Sequence, residues 1–496
     1  MDAPQLEWAR RWCETPKTLF IDGEWVRART GLTSQLTNPA NGQTLTSFAD
    51  GSAADVEDAV RAAEGAFHSV TWNQLSRKDR MRTLQKIGAT IRAHHAELAT
   101  LESLNNGKTY REAFYDDIPE AADIFDYYAG WTDKFYGESS PVEGSFVNFT
   151  RREPLGVCAL VVPWNFPLLL ACWKLAPALA MGNTVVLKPS PFTPLSVIRL
   201  FEILDEAKVL PRGVINLITG GAESGKALAA HPRIAKISFT GSTEVGKQIA
   251  IGASHSNLKA VSLELGGKSP NIIFDDVKDL PSVIDRSFAA MFSHKGEKCS
   301  EPTRFFLHES IYAVFAESLI RKANAVVCGD PFHPETHQGP QCHEAHMEKI
   351  LGYIRSGKEE GAKLLAGGER DVAGSNRKGF FVRPTIFGDV KSSMKIAREE
   401  IFGPVLALIS FSNEAEVIAE ANDSIYGLAA GVYSADGSRA LRVANQLQAG
   451  QVFINHYGCY DFSAPFGGWK QSGWGQEMAI HSLSSYTRLK SVWIKY

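Results

Sequence analysis

The stretch at residues 156–190, GVCALVVPWNFPLLLACWKLAPALAMGNTVVLKPS, decides the fold of this chain of 496 residues. It begins with an apolar run at 157–162, passes through a polar turn and an apolar helical pattern, and ends in a second apolar run at 184–187. Short, fully apolar strands that alternate with helices are typical of a parallel sheet covered by helices on both faces.

The same alternation continues along the rest of the chain. The further apolar runs lie at 214–217, 234–239, 260–263, 271–274, 303–307, 405–411 and 452–454. Upstream, amphipathic helical patterns cover residues 56–67 and 81–101, and Asn106-Gly107 is a helix stop signal. We therefore predict an α/β fold with two doubly wound parallel-sheet domains.

Two further segments, 144–153 and 485–496, alternate polar and apolar residues without a helical period. An apolar strand left at a sheet edge invites aggregation, so we expect each segment to pair with another strand or with another subunit.

The composition excludes several classes of protein. Lys and Arg total 52 against 55 Asp and Glu, a formal charge of −3, so no basic field attracts nucleic acid or anionic lipid. Residues 156–173 form an uncharged run of 18, the lower limit of a membrane span, but Pro163, Asn165 and Pro167 interrupt it. We favour a strand, a turn and a buried helix, and a small or neutral substrate.

The seven cysteines are scattered, odd in number and free of any C-x-x-C pair, so neither a disulfide framework nor a zinc site is indicated. The first residues carry no apolar block typical of a secretory signal. We expect a reducing, cytoplasmic compartment and no bound metal.

Four local signals indicate chemistry. The turn FTGSTEVG at 239–246 follows a predicted strand and opens a helix, where backbone amides can approach a phosphate, although a plain tight turn explains it equally well. Cys299 follows a glycine turn between a helix and a strand; it is either a nucleophile or an inert buried thiol. Lys295 and Lys298 would lower the pKa of its thiol, and Glu297 and Glu301 would oppose them.

The other two signals are polar residues in apolar surroundings. Glu264 lies at a strand end before two glycines, and is either ion-paired or tuned upward as a base. Asn165, in the turn PWNFP, either forms the turn or offers its amide N–H to a developing oxyanion.

Together these signals resemble the aldehyde dehydrogenase superfamily over essentially the whole chain. The motifs that carry the resemblance, seven in the same order, are PWNFP (163–167), KPS (188–190), FTGSTEVG (239–246), LELGGK (263–268), GEKC (296–299), EIFGP (400–404) and PFGGWKQSG (465–473). The resemblance implies NAD(P)-dependent oxidation of an aldehyde to a carboxylic acid on a fold of two Rossmann-like domains.

The resemblance also implies a mechanism. Cys299 would attack the aldehyde carbonyl to form a thiohemiacetal, with the oxyanion held by the Asn165 amide and the backbone N–H of Cys299. After hydride transfer, Glu264 would activate water to hydrolyse the thioester, because the coenzyme-A-acylating branch lacks this glutamate. Lys174 and Glu477 match positions that complete a proton path in relatives.

For the cofactor, Lys188 resembles the lysine that reaches the adenine ribose, and Ser242 meets the pyrophosphate. Pro191 stands where strongly NAD-preferring relatives carry a glutamate, so NADP stays open beside NAD. The cofactor contacts implied are Val162, Pro163, Trp164, Lys188, Ser190, Gly221, Gly225, Phe239, Thr240, Gly241, Ser242, Val245, Leu265, Gly266, Glu400 and Phe402.

The substrate tunnel of relatives matches positions that are largely aromatic and apolar here, which favours a hydrophobic or aromatic aldehyde. These positions are Phe166, Leu170, Trp173, Ser300, Tyr460 and Phe466. Asp117 and Glu120 fall where aminoaldehyde-oxidising relatives keep acidic groups, but we favour a solvated helix face for both. Glu297 replaces the usual Gln, and we expect its carboxylate to point away from the thiol.

The resemblance divides the chain into a cofactor-binding domain at 1–139 and 156–267, a catalytic domain at 268–471, and an oligomerisation element at 140–155 and 480–496. We expect a homodimer or homotetramer. The rival interpretations are an inert structural or binding protein on the same fold, an acyltransferase variant, and oxidation of an aminoaldehyde or a betaine-aldehyde type of substrate.

Overall fold

The computed structural model of the protein describes residues 3–496, which form 18 α-helices and 22 β-strands. The helices are α1 (Ala3–Cys13), α2 (Ala53–His68), α3 (Val70–Asn73), α4 (Arg77–Ala93), α5 (His95–Asn106), α6 (Tyr110–Glu112), α7 (Ile118–Ala129), α8 (Pro167–Ala180), α9 (Leu195–Glu206), α10 (Ala222–Ala230), α11 (Thr243–Ser256), α12 (Leu280–Phe292), α13 (Glu309–Ala325), α14 (Glu344–Glu359), α15 (Lys395–Arg398), α16 (Glu414–Asn422), α17 (Gly437–Ala444) and α18 (Ala479–Ser485).

The strands are β1 (Leu19–Ile21), β2 (Glu24–Val26), β3 (Thr33–Thr37), β4 (Thr44–Ala49), β5 (Ser139–Ser140), β6 (Phe146–Pro154), β7 (Val157–Val161), β8 (Thr184–Lys188), β9 (Ile215–Leu217), β10 (Lys236–Thr240), β11 (Ala260–Glu264), β12 (Pro270–Ile273), β13 (Arg304–His308), β14 (Lys363–Ala366), β15 (Thr385–Gly388), β16 (Val405–Phe411), β17 (Tyr426–Gly427), β18 (Ala429–Tyr433), β19 (Gln451–Ile454), β20 (Trp469–Lys470), β21 (Gly473–Trp474) and β22 (Thr487–Lys495).

The first large sheet contains the strands predicted between residues 157 and 263, each within two residues of its predicted bounds. Its order is β2-β1-β9-β8-β7-β10-β11-β21, with parallel pairing from β9 to β11 and antiparallel strands at both edges. Helices α4, α7, α8 and α9 cover one face, and α2, α10 and α11 cover the other. Burial on both faces explains why the strands from β7 to β11 are largely apolar, with a few buried polar residues such as Asn216 and Lys236.

The second large sheet has the order β14-β15-β16-β13-β12-β18-β19 and is parallel apart from β14. Helices α14 to α17 pack on one face, and α12 and α13 on the other. The predicted fold class of two doubly wound parallel sheets is confirmed. The sequence patterns missed β14, β15 and β18.

The helical pattern predicted at 81–101 is broken into two helices. α4 ends at Ala93, α5 begins at His95, and His94 between them leaves the helical conformation with φ −108° and ψ 21°. The predicted stop signal is confirmed, since α5 ends at Asn106 and Gly107 adopts the left-handed conformation with φ 87°.

The two β-prone segments pair with each other within this chain. β22 lies antiparallel to β6 from Thr487 opposite Pro154 to Lys495 opposite Phe146, and β5 completes a three-stranded sheet. The expected strand pairing is therefore confirmed.

All seven cysteines are free thiols. Within residues 3–496, none of the helices has both the length and the apolar character that crossing a bilayer demands. The same residues contain no group of three or more His, Cys, Asp or Glu side chains arranged to hold a metal ion.

Candidate active site

A cavity of about 370 Å³ opens between the two large sheets. Its walls come from the turns that follow β7, β10 and β11, from the loop before β13, and from segments near residues 400 and 460. The predicted site residues that line it are Pro163, Trp164, Asn165, Phe166, Leu170, Trp173, Thr240, Gly241, Ser242, Glu264, Leu265, Gly266, Cys299, Ser300, Glu400, Phe402, Tyr460, Phe466 and Glu477. The strand-end turns of parallel sheets are where such sites form.

Cys299 lies in a loop with a strained entry. His294, Lys295 and Gly296 have φ values of 48°, 64° and 72°, three left-handed residues in succession. A Cβ at residue 296 would come within 2.5 Å of the Gly403 backbone, so only glycine fits there. Left-handed non-glycine residues cost about 1–3 kcal/mol each, so the surrounding contacts must hold this turn.

Burial raises the pKa of the Cys299 thiol, and the nearby Glu264 and Glu400 carboxylates raise it further. Lys295 and Lys298, which could have lowered this pKa, do not offset the rise. The Lys295 ammonium is 2.8 Å from Glu297 Oε2, and Lys298 Nζ donates to Ser293 Oγ at 2.7 Å. Both cations are therefore engaged elsewhere, and the thiol must lose its proton to a base before it can attack.

Asn165 lies just before α8, in the turn after β7. Its Nδ2 donates a hydrogen bond of 2.8 Å to the carbonyl oxygen of Glu297, two residues before the thiol. A side-chain amide carries two N–H groups, and this bond uses one of them. The Asn165 side chain is thus held to residues 293–303, named the nucleophile loop for the Cys299 thiol that it carries, while it lines the cavity.

Glu264 ends β11 and is 4% exposed. Its Oε2 has no hydrogen-bond partner among the described residues. Burial raises the pKa of this carboxyl well above its usual value, Glu477 adds to the rise, and Lys174 opposes it. A raised pKa is what a general base working near neutral pH requires.

Lys174 is fully buried behind the cavity wall rather than in it. Its Nζ forms an ion pair with Glu477 and donates to Ser238 Oγ at 3.2 Å. Glu477 is also fixed by two backbone bonds with Phe466, its N–H to the Phe466 carbonyl at 2.7 Å and the reverse bond at 2.8 Å. Because Glu477 lines the cavity, the pair joins the buried interior to it.

The turn after β10 forms a cradle for a phosphate. Ser242 caps α11, and its Oγ accepts a hydrogen bond from the backbone N–H of Val245 at 3.3 Å. A Cβ at Gly241 would lie 2.5 Å from the Phe239 ring, and one at Gly266 would lie 2.5 Å from Glu400 Oε2. The bare glycines and the positive end of a 14-residue helix fit the pyrophosphate of a dinucleotide.

On the opposite wall, Glu400 Oε1 accepts a hydrogen bond from the backbone N–H of Gly267 at 2.9 Å. Burial raises the pKa of Glu400 to about 7. Phe402 has a left-handed φ of 62°, and its carbonyl oxygen accepts from His346 Nε2 at 2.7 Å. The Trp164 ring lies edge-on to Phe402 at 5.2 Å.

The remaining predicted cofactor residues lie outside this cavity. They are Val162, Lys188, Ser190, Gly221, Gly225, Phe239 and Val245. Lys188 Nζ makes one long bond of 3.4 Å to the Pro189 carbonyl, and Gly225 would place a Cβ 3.8 Å from its Cε. Burial lowers the pKa of Lys188 to about 8, with Asp50 opposing the shift. Such a weakly satisfied buried cation fits a ribose or phosphate ligand.

The predicted substrate positions form one aromatic wall. The Phe466 ring lies 5.6 Å from Trp173 and 5.7 Å from Tyr460, measured between ring centroids. The hydroxyl groups of Ser300 and Tyr460 are hydrogen-bonded at 2.6 Å. The wall is therefore apolar apart from this pair of hydroxyl groups and the Trp173 indole N–H, which has no hydrogen-bond partner among the described residues.

The expectation that Asp117 lies on a solvated helix face is wrong. Asp117 is 1% exposed, forms an ion pair with Lys108, and its Oδ1 is 3.4 Å from His294 Nε2. Although burial alone would raise it, the Lys108 cation and His294 hold the pKa of Asp117 below its usual value. Glu120 is exposed as expected, but it lines the cavity, and loss of solvation and the carboxylates of Asp117 and Asp116 raise its pKa to about 7.

Several cavity residues were not predicted. They are Asp116, Leu169, His294, Lys298, His343, His346, Lys349 and Gly458. Leu169 could have been found, because it shares a helix face with Phe166, Leu170 and Trp173 at the i, i+3, i+4 and i+7 positions. His343 and His346 carry no local signal, since they reach the cavity only through the packing of α14, whereas His294 lies in the loop that carries Cys299.

Comparison with known proteins agrees with this geometry. The model of the Aldehyde dehydrogenase family matches residues 25–492. Retinal dehydrogenase 2 of Homo sapiens is 46% identical over 479 residues, which are 96% of this chain and 91% of that protein.

Two solved structures superpose closely. The NAD+ complex of the aldehyde dehydrogenase from Bacillus cereus is 42% identical, with a TM-score of 0.96, and covers 100% of this chain and 99% of its own. An alanine variant of the P. syringae indole-3-acetaldehyde dehydrogenase, in complex with NAD+ and IAA, is 40% identical, with a TM-score of 0.96 and 99% of both chains covered. The chain belongs to the aldehyde dehydrogenase family and is an NAD(P)-dependent aldehyde dehydrogenase.

Proposed function

We propose that this enzyme oxidises an aldehyde to a carboxylic acid through a covalent intermediate on Cys299, with NAD as the hydride acceptor. The observation that supports the proposal is that three groups line one cavity: the Cys299 thiol, the Asn165 amide and the carboxyl group of Glu264, whose Oε2 has no hydrogen-bond partner among the described residues. A nucleophile, an oxyanion donor and a base are the parts that acyl chemistry requires.

The Cys299 sulfur bonds to the carbonyl carbon as the thiol proton passes to cavity water, while the carbonyl oxygen gains charge that the Asn165 amide and the backbone N–H of Cys299 stabilise. Loss of hydride from that carbon leaves a thioester on Cys299. Glu264 takes a proton from water, the resulting hydroxide attacks the thioester, and the acid leaves as the thiol is restored. The departing thiolate takes its proton from Glu264, and Glu477, held by its ion pair with Lys174, completes a proton path from this carboxyl.

Bound NAD supplies the oxidising equivalent by accepting the hydride. The α11 N-terminus at Ser242 would hold its pyrophosphate, Lys188 the adenine ribose, and Glu400 with Phe402 the nicotinamide half. Because Pro191 leaves Lys188 without the carboxylate that would repel a 2′-phosphate, NADP is proposed as a weaker second cofactor.

For the substrate, we propose a hydrophobic or aromatic aldehyde. The aromatic wall of Phe166, Trp173, Tyr460 and Phe466 favours it. Similar proteins carry the names retinal dehydrogenase and indole-3-acetaldehyde dehydrogenase, and both names describe large unsaturated aldehydes. A steady-state panel of aliphatic, aromatic and amino aldehydes with NAD and with NADP tests this. We expect aromatic aldehydes to have the highest kcat/KM, and a tenfold preference for aminoaldehydes would contradict it.

A second candidate is a cationic aminoaldehyde or a betaine-aldehyde type of substrate. It is favoured by Asp116, Asp117 and Glu120, three carboxyl groups on one part of the cavity wall. Asp117 is already neutralised by Lys108, which leaves Asp116 and Glu120 as the groups able to attract a cation.

The acyltransferase alternative has its own test. Product analysis with and without coenzyme A separates hydrolysis from acyl transfer.

The proposal keeps the division into a cofactor-binding part at 1–139 and 156–267, a catalytic part at 268–471, and a pairing element at 140–155 and 480–496. Leu489, Trp493 and Ile494 on β22 are exposed, which supports a homodimer or homotetramer joined through this sheet. Light scattering of the purified enzyme tests it, and a monomer at micromolar concentration would contradict it.

A further inference from the structure

Glu297 is a buried carboxyl group that the proposed chemistry does not use. It is 1% exposed and lies two residues before Cys299. Its side chain and its main chain contact different parts of the molecule.

The carboxylate ties the nucleophile loop to two other segments. Glu297 Oε2 is 2.8 Å from Lys295 Nζ, and Lys295 donates in turn to the carbonyl and side-chain oxygens of Asn106, at 2.8 and 3.0 Å. Glu297 Oε1 accepts from the backbone N–H of Cys342 at 3.1 Å. The loop is thereby fastened to the end of α5 and to the segment that leads into α14.

The carbonyl of the same residue holds Asn165. The Asn165 amide donates one N–H to the Glu297 carbonyl oxygen at 2.8 Å. The position of this carbonyl oxygen therefore sets the direction of the second N–H of the amide. A donor must lie about 2.7–3.1 Å from the developing oxyanion to be effective, so a small shift of the Glu297 main chain would misplace it.

Stability alone is a poor explanation of this buried ion pair. Replacing such a pair by uncharged groups of similar size is often neutral for stability or stabilising. The pair instead lies at the turn where His294, Lys295 and Gly296 are left-handed, a conformation that persists only when its surroundings fix it.

We propose that Glu297 is a positioning residue for the oxidation: its ion pair with Lys295 fixes the nucleophile loop so that its own carbonyl aims the Asn165 amide at the oxyanion. This inference rests on the proposed function, in which Asn165 stabilises that oxyanion. The carboxylate points away from the thiol, as expected from the sequence, and acts through Asn165 rather than on the substrate.

The test is a double-mutant cycle of Glu297→Gln and Asn165→Ala, measured as kcat and as KM for NAD. We expect Glu297→Gln to lower kcat about 10- to 100-fold, less than the 100- to 1,000-fold typical of losing an oxyanion donor. KM for NAD should change less than about threefold. In the Asn165→Ala background the same substitution should lower kcat less than about threefold, because the group it aims is gone.

The matched control is Glu301→Gln. Glu301 is in the same loop, is 2% exposed and lies 3.6 Å from a lysine, Lys298, but none of its contacts reaches Asn165 or Cys342. We expect its kcat to stay within about threefold of the unmodified enzyme.

Glu297→Gln leaves the buried Lys295 without its carboxylate, so a second variant, Lys295→Met with Glu297→Gln, removes both charges. We expect the double variant to have a kcat at least about tenfold lower than the unmodified enzyme as well, because the hydrogen bonds from Lys295 to Asn106 are lost. Full turnover of either Glu297 variant, or an equal loss with and without Asn165, would overturn the inference and leave the proposed oxidation intact. Full turnover of Asn165→Ala would instead overturn the role of Asn165 in both.

Discussion

Replacing Glu264 by Gln should separate the two halves of the reaction. Glu400 is bonded to the backbone of Gly267 and Glu477 is paired with Lys174, whereas one oxygen of Glu264 has no partner among the described residues. Gln has nearly the same shape but cannot accept a proton. Attack by the thiol and hydride loss need no water, so they should survive the substitution, while hydrolysis of the thioester should not.

The expected loss of kcat follows from the proposed role of Glu264 as a general base. A positioned general base accelerates a reaction about 100- to 10,000-fold, so steady-state kcat should fall by that factor. In stopped flow at 340 nm, the variant should still give a rapid burst of about one NADH per active subunit, followed by the slow phase. Acid quenching during the slow phase should trap an acyl group on the protein, detected by mass spectrometry of the peptide that contains Cys299.

The pH dependence adds a second readout. Because the pKa of Glu264 is raised well above its usual value, kcat of the unmodified enzyme should rise with pH through that raised pKa, and the rise should be absent in the variant. A carboxyl whose pKa is raised on folding stabilises the protein below its unfolded pKa, and this contribution is lost as pH rises through the folded pKa. At pH 8 the neutral Gln should therefore leave the thermal midpoint unchanged or higher.

Glu301→Gln is the control, since this carboxyl is also buried and also lacks hydrogen-bond partners but does not line the cavity. It should keep normal turnover. If Glu264→Gln kept a steady-state rate within threefold of the unmodified enzyme, or lost the burst together with the slow phase, the assignment of Glu264 to water activation would be refuted.

Four further predictions concern the other walls of the site. Cys299→Ser should lower NADH formation by at least about 1,000-fold, because the hydroxyl is a far weaker nucleophile; a loss below tenfold contradicts this. Lys188→Ala should raise KM for NAD about 10- to 100-fold, because that factor corresponds to the loss of one hydrogen bond to a charged group. In the unmodified enzyme, KM for NAD should rise as the pH passes about 8, where Lys188 loses its charge. A KM that does not change with pH would count against this contact. Trp173→Ala should raise KM for an aromatic aldehyde about tenfold and leave KM for acetaldehyde nearly unchanged, by steady-state assay; equal effects on both would argue against an aromatic subsite. Glu120→Gln should change kcat/KM less than about threefold for a neutral aromatic aldehyde at pH 8, and a larger loss confined to aminoaldehydes would support the second candidate substrate.

The parts of the fold that the sequence predicts well are those whose environment is uniform. The strands β7, β8 and β10 are buried at every residue, and the apolar runs that predicted them include all of β7 and the centre of β8, with Lys236 and Ser238 as buried polar exceptions in β10. The strands that were missed fall into three kinds. β15 and β18 are fully buried, but Gly388 and Gly431 shorten their apolar runs. β14 has exposed and half-buried positions, and β21 has two residues that exist as a strand only through pairing with β11. No local pattern encodes such a partner.

The site divides in the same way. Gly241 and Gly266 could be located because backbone geometry restricts the residue types at strand-end turns, whereas Cys299 was singled out by its glycine turn and by the family resemblance. Asp117 was misjudged because its burial depends on Lys108 and on His294, a residue 177 positions away. The sequence left the direction of the Cys299 pKa shift open for the same reason: Lys295 and Lys298 are near in sequence, but both cations contact other partners.

The short strand β21 has a consequence for biosynthesis. It lies antiparallel to β11, with Leu263 opposite Trp474 and Glu264 opposite Gly473, and the Leu265 N–H donates to the Ser472 carbonyl at 2.9 Å. About 210 residues separate the two partners, so at roughly 5–20 residues per second the ribosome needs about 10 to 40 s to deliver the second after the first. During that interval the nascent chain carries an unfinished sheet edge beside Glu264, and the first large sheet is completed only after Gly473 and Trp474 have been synthesised.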